Sequence, residues 1–241
     1  LGNSSIEFDT FDLGTGSNRL LMCDNSGTAF MQYWDGSGAT VLVNGANTPQ
    51  GPRYFKIWQQ RVFSIGKNAD PNNLVWSNSG SATVYTAADN LDIITNDGDF
   101  PTGIGILKKN LYIFKRYSIH RVTFTGGDPI IETTPVILGT GCASSKTLKN
   151  VNIPEIGETL VFLTQDKRIV AFTGHSEGLF NLSDTISISN NVSPVSMEDI
   201  NASSIGVSRS VIFSNKFWYL CFLPVGNGQT TNNYAFVFDY L

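Results

Sequence analysis

Two histidines, three cysteines and twenty acidic residues are the side chains from which this 241-residue chain would build a catalytic or metal centre. His120 stands beside Lys115, Arg116 and Arg121, and cationic neighbours disfavour a further positive charge, so it reads as a surface or hairpin-flank residue rather than a general base. His175, between Gly174 and Ser176, has no acidic partner identifiable from the sequence, and no G-x-S-x-G elbow is present for a serine nucleophile. Cys23, Cys142 and Cys221 are far apart, form no C-x-x-C pair and have no histidine at ligand spacing. They read as free thiols in packed strands, and a structural zinc site is excluded. The densest acidic cluster, Asn96-Asp97-Gly98-Asp99, lacks the D-x-[DN]-x-[DN]-G spacing of a calcium loop and reads as a tight turn with Gly98 at positive φ. Glycoside hydrolysis would need two carboxylates meeting at one site. Asp9, Asp12, Asp35, Asp92, Asp99, Glu155, Glu158 and Asp166 offer material, but most sit next to Gly, Asn or Ser and read as solvated turn residues. No catalytic, cofactor-binding or metal-binding residue is assigned. The cations Lys108, Lys109, Lys115, Arg116 and Arg121 read as solvation, and with a net charge of -4 the chain lacks the footprint of a sequence-reading nucleic-acid binder.

The elements that would position such residues recur along the chain. Leu111–Phe114, a polar stretch, then Ile119–Phe124 and Thr125-Gly126-Gly127 reads as strand, turn, strand and exit turn. The same grammar returns at residues 160–173 and 20–35, and more loosely at 61–77 and 217–239. Aligning the third strand residue gives Met22, Phe63, Ile113, Phe162 and Tyr219, spaced 41, 50, 49 and 57 residues apart. That period is the period of propeller blades with four short strands. Ile104–Leu107 and Ala202–Val207 are expected to be strands before their hairpins, and Ala82–Tyr85 and Leu91–Ile94 strands after theirs. Leu-Tyr-Ile-Phe at 111–114 and Leu-Val-Phe-Leu at 160–163 are apolar on both faces. Both faces must therefore be covered, and no long stretch carries the helical period that would supply helices to do it. The expected fold is all-β, a β-propeller of about five antiparallel blades, either a single domain over residues 1–241 or part of a larger propeller.

A chain with 41 % apolar and 12 % aromatic residues is folded rather than disordered. Its longest apolar run, Phe217–Leu223, is far below the roughly 20 residues of a helical membrane span. Leu1 is not Met, and the end at Leu241 directly follows a hairpin strand, so the chain is expected to be part of a longer polypeptide. The polar stretch Asn181–Asp199 is expected to be an outer strand with a long loop, or an inserted contact loop.

The run Arg61–Gly66, Asn68–Ser77, Ala88–Ile93 and Asn96–Ile104, continued by Leu111–Lys115, Ser118-Ile119 and Arg121 and by Gly141-Cys142-Ala143-Ser144, resembles the β-propeller hub, nozzle or head-to-tail stabilisation proteins of tailed bacteriophages. The likeness covers about residues 54–190. It implies a non-enzymatic virion structural subunit of the tail or connector, binding other virion subunits and further copies of itself. The implied location is the virion, with the host cytoplasm as the place of assembly. The other readings are an extracellular carbohydrate-binding or carbohydrate-active propeller and an extracellular binding module.

Overall fold

A computed structural model describes residues 6–12, 18–93, 98–126, 130–154, 156–175, 178–182 and 196–240. They form nineteen strands in five antiparallel sheets, each a meander of consecutive strands, the blade pattern of a β-propeller. Sheet 1 holds β1 (Glu7–Phe11), β2 (Arg19–Cys23), β3 (Gln32–Trp34) and β4 (Val41–Leu42). Sheet 2 holds β5 (Tyr54–Trp58), β6 (Arg61–Ile65), β7 (Asn73–Trp76) and β8 (Asn90–Asp92). Sheet 3 holds β9 (Pro101–Leu107), β10 (Asn110–Lys115), β11 (Ser118–Phe124) and β12 (Ile131–Leu138). Sheet 4 holds β13 (Lys149–Ile153), β14 (Gly157–Leu163), β15 (Ile169–Phe172) and β16 (Leu179–Asn181). Sheet 5 has three strands among the described residues, β17 (Arg209–Phe213), β18 (Trp218–Leu223) and β19 (Tyr234–Asp239). The five expected hairpins are β2–β3, β6–β7, β10–β11, β14–β15 and β18–β19.

The chain divides into two compact units, Leu1–Ile104 with Phe124–Glu132, and Gly105–Thr123 with Thr133–Leu241. In the first, sheet 1 lays Phe11, Leu21 and Cys23 on Phe55, Val62 and Val75 of sheet 2. The opposite face of sheet 2 gathers Trp58, Phe63 and Trp76, with Phe124 stacked on Trp58 at 5.1 Å between ring centres. In the second unit, Tyr112, Phe114 and Ile119 pack on Leu160, Phe162 and Phe172. The far face of sheet 4, with Val161, Leu163, Ile169 and Ala171, packs on Tyr219, Cys221, Leu223 and Phe238 of sheet 5. The inner strands β6, β7, β14 and β15 thus have both faces covered, which is why their sequences do not alternate, whereas β18 is buried on one face only.

Tight reversals make the meanders possible. Gln59-Gln60, between β5 and β6, and Lys108-Lys109, between β9 and β10, both have positive φ at each residue. This is the mirror-image two-residue turn whose twist matches that of the strands. The two lysines are therefore a hairpin tip, and Lys108 Nζ donates to the Thr173 carbonyl at 3.2 Å.

A buried polar network joins sheets 4 and 5. Thr147, on a single 3-10 turn (Ser145–Thr147), donates through its hydroxyl to the Ser144 carbonyl (2.7 Å) and accepts from the Leu163 amide (3.1 Å). Its carbonyl receives the hydroxyls of Tyr219 (2.7 Å) and Ser210 (2.9 Å).

Several expectations are corrected. Ala202–Val207 is a 3-10 segment, because Asn201 caps it by accepting from the Ser203 amide, and the strand before the last hairpin is Arg209–Phe213 instead. Ala82–Tyr85 is irregular, since the Ser81 hydroxyl accepts from the amides of Thr83 and Val84 and bends the chain. In the first hairpin the return strand is only Gln32–Trp34, the Ser26 hydroxyl having tied up the amides of Thr28 and Ala29. His120 is buried on β11 opposite Ile113 rather than on the surface, and its Nε2 lies 3.2 Å from the Ser118 hydroxyl. Lys115 has no exposed surface at all, so the exposed tip of the β10–β11 hairpin is Arg116-Tyr117 alone. Of Asn181–Asp199, residues 183–195 lie outside the described residues, while Ser196–Asp199 forms a capping box.

Candidate functional site

The carboxylates weighed in the sequence do not converge. Asp9 pairs with Lys56 at 4.0 Å on sheet 1. Asp35 caps its own turn, and the Ser37 amide and hydroxyl hold its carboxyl below the usual carboxylate range. Asp166 is gripped by Arg168 beside Thr164; burial opposes its ionisation, but these hydrogen bonds outweigh it and its carboxyl is lowered. Glu158 lies 3.4 Å from Asn150 Nδ2, Asp99 is buried, and Asp12 follows β1. Glu155, Asn96 and Asp97 lie outside the described residues, whereas Gly98 has the expected positive φ, +71°. The three cysteines are free and buried, and burial pushes each thiol up to about 12. Among the described residues no group of three His, Cys, Asp or Glu could hold a metal ion.

What the fold does assemble is an open polar cleft of about 780 Å³ in the first unit. Five separate stretches line it. The β2–β3 loop supplies Thr28, the connection from sheet 1 to sheet 2 supplies Asn47, Thr48 and Gln50, and the β6–β7 loop supplies Lys67 and Asp70. Asn73 opens β7, and residues 86–92, running into β8, add Thr86, Asp89, Asn90 and Asp92. The lining carries three carboxylates and one ammonium, set among hydroxyls and side-chain amides, with no aromatic ring.

The register explains how the wall is built. Asn73 pairs with Asp92 across β7 and β8, and its buried amide donates to Asp92 Oδ1 (2.7 Å) and Asn90 Oδ1 (3.2 Å). Asn90 in turn donates to the Ala87 carbonyl at 2.8 Å. The two loops are laced together by Asn68, whose backbone amide bonds the Gly27 carbonyl (3.0 Å) and whose side chain accepts from Arg53 (2.6 Å). Lys67 and Asp70 face each other at 3.7 Å. A smaller cleft, about 220 Å³, shares Lys67 and Asn68 and adds Arg53, Phe100 and Pro101.

Chemically the cleft is a field of fixed acceptors and two-way amides. Its acidic balance repels phosphates and acidic polymers, and the small apolar patches of Pro49, Ala69, Val75 and Ala87 stand among its hydrogen-bonding groups. A neutral, hydroxyl-rich ligand suits both features. Of the carboxylates weighed in the sequence only Asp92 is here; Asp70, Asn73, Asp89 and Asn90 were not singled out. The signal available was the density of Asn and Asp in Asn68–Asn73 and Asp89–Asp92.

No protein-family model matches the chain, and no curated protein is similar to it. Among solved structures it is similar to SapL1 lectin in complex with alpha methyl fucoside, with a TM-score of 0.50 and 11 % identity over 92 % of this chain and 74 % of that one. It also matches the dihydro-heme d1 dehydrogenase NirN in complex with DHE (TM-score 0.45, 10 % identity, 98 % of this chain and 47 % of that one). A third is BBS1N in complex with ARL6DN (0.45, 13 %, 97 % and 67 %). None of the three is a phage tail protein. At such identities the likeness is one of fold alone, and the fold is that of the β-propeller.

Proposed function

We propose that this chain is a non-catalytic binding module whose polar cleft takes a neutral carbohydrate. The observation that carries the reading is the Asn73–Asp92–Asn90 array, in which a buried amide fixes two acceptors on the cleft wall. Fixed acceptors beside an amide suit the vicinal hydroxyls of a sugar, which donate and accept in pairs. The lectin with a similar fold was solved with alpha methyl fucoside, which makes that glycoside the first probe. Without an aromatic ring to stack on, a single sugar has only hydrogen bonds to offer, so the expected dissociation constant is about millimolar. Titration of methyl α-fucoside and a panel of neutral oligosaccharides, followed by amide chemical shifts, tests this. Asp92→Ala and Asp89→Ala should weaken binding at least about tenfold, with Asp166→Ala unchanged. Failure of every neutral glycan to shift the cleft amides sinks the reading.

The second reading, a virion tail or connector subunit working by assembly in the phage particle and the host cytoplasm, is favoured by exposed apolar residues on outer strands. Leu42, Leu138 and Phe180 are all exposed there, as suits a protein whose rim is covered by neighbouring subunits. Arg116→Glu together with Tyr117→Glu, at the exposed hairpin tip, should lower incorporation into particles without loss of solution stability. Normal incorporation together with polysaccharide binding would reject it.

A further inference from the structure

The outer face of sheet 5 is apolar and uncovered. The alternate residues of this sheet, Tyr219, Cys221, Leu223 and Phe238, pack inward on sheet 4. On the opposite face the register sets three rows of three: Arg209, Phe222 and Ala235; Val211, Leu220 and Val237; Phe213, Trp218 and Asp239. Phe213 is 51 %, Val211 and Val237 47 % and Phe222 36 % exposed. The rings of Phe213 and Trp218 lie against each other at 6.4 Å. Large contiguous apolar patches on a folded chain mark places where something docks.

The pattern of this face also says what would fit it. Arg209 and Asp239, both exposed, stand at diagonally opposite corners, with the apolar residues between. We propose that this face is a self-association surface on which a second copy of the chain lays the same face, about a two-fold axis along the diagonal through Phe213, Leu220 and Ala235. That axis carries Arg209 over the partner's Asp239 and Asp239 over the partner's Arg209. It also sets the bulky Phe222 over the partner's Val237, and Trp218 over the partner's Val211. With strands about 4.8 Å apart and same-face residues about 6.7 Å apart along each, the strands of the two copies then cross at about 70°. An axis along the strands puts Arg209 on alanine, an axis across them puts it on phenylalanine, and the other diagonal puts it on itself. Only one arrangement both buries the apolar rows and joins the charges. This proposal is independent of the carbohydrate reading, because it uses no residue of the cleft.

Sedimentation velocity over a rising concentration series tests it. The wild-type chain should form a dimer and no larger species, and Phe213→Glu should abolish it. Arg209→Asp places Asp on Asp twice, and Asp239→Arg places Arg on Arg twice, so each variant alone should dimerise at least about tenfold more weakly. Mixed in equal amounts, the two variants restore both oppositely charged pairs, and a heterodimer of wild-type affinity should appear. All substituted side chains are exposed, and unchanged melting curves verify folding. A wild-type chain monomeric up to about 100 μM, oligomers beyond a dimer, a dimer that survives Phe213→Glu, or a mixture that stays monomeric would each overturn the proposal.

Discussion

Gly51 and Gly98 hold the same left-handed backbone, with φ of +72° and +71°, in different company. A Cβ added at Gly98 would meet nothing within 4 Å, so what resists it there is the backbone conformation. At Gly51 the added carbon would be driven into the backbone at Gly27, beside the polar cleft. Gly98→Val should therefore cost about 1–3 kcal/mol, from strain alone. Gly51→Ala should cost more despite its smaller side chain, because strain and overlap add and neither backbone can yield cheaply. Urea midpoints read both, and the reverse order would contradict the account. Lys115 and His120 carry a different lesson at this scale. Their charged neighbours in sequence mark a surface, but on a strand neighbours point to opposite faces. Arg121 is exposed while His120 beside it is buried.

At the scale of elements, the 3-10 turn at Ser145–Thr147 is small and holds much. Thr147→Val leaves the Leu163 amide without its acceptor in a fully buried site. The expected loss is about 1–3 kcal/mol. Tyr219→Phe removes one of two donors to the Thr147 carbonyl, and with Ser210 still in place the loss should be nearer about 1 kcal/mol. Equal losses in thermal melts would show that the network is not organised around Thr147. Hairpins were legible in the sequence because their signal is local: an apolar run, a polar tip, an apolar run. Ala202–Val207 and Ala82–Tyr85 were misread because a preceding Asn or Ser competes for the same amides, and apolar content does not report that competition. Least legible was the cleft. Thr28, Asn47, Asp70, Asn73 and Asp92 come from distant stretches and meet only through strand register, so no spacing between them in the chain marks the site.

For the molecule as a whole, the buried thiols set an alkaline limit. Cys23, Cys142 and Cys221 are each pushed up to about 12 by burial, from an ordinary value of 9.0. The unfolded chain therefore gives up its thiol protons first. Stability is fully present below about pH 9 and falls as pH rises from there towards about 12, by an amount of the order of 1 kcal/mol per pH unit for each thiol. Urea midpoints measured across this range should fall, and Cys142→Ala should make the fall shallower; a flat profile would refute the assignment. A thiol reagent at neutral pH should label the native chain hardly at all and find three thiols once it is denatured. Two missing thiols would mean a disulfide where the structure has none.

The meander order of the sheets carries a consequence for how the molecule comes into being. Each strand pairs with the one synthesised just before it, and no described sheet borrows a strand from elsewhere in the chain. A nascent chain can therefore finish a sheet soon after its last strand leaves the ribosome, with no loop held open for a distant partner. What cannot be finished in that way is a sheet's flank, which stays greasy until the next sheet arrives. The interval between one sheet and the next is then the period of greatest exposure to chaperones and proteases, and it is longest before sheet 5, after the polar stretch beyond Asn181.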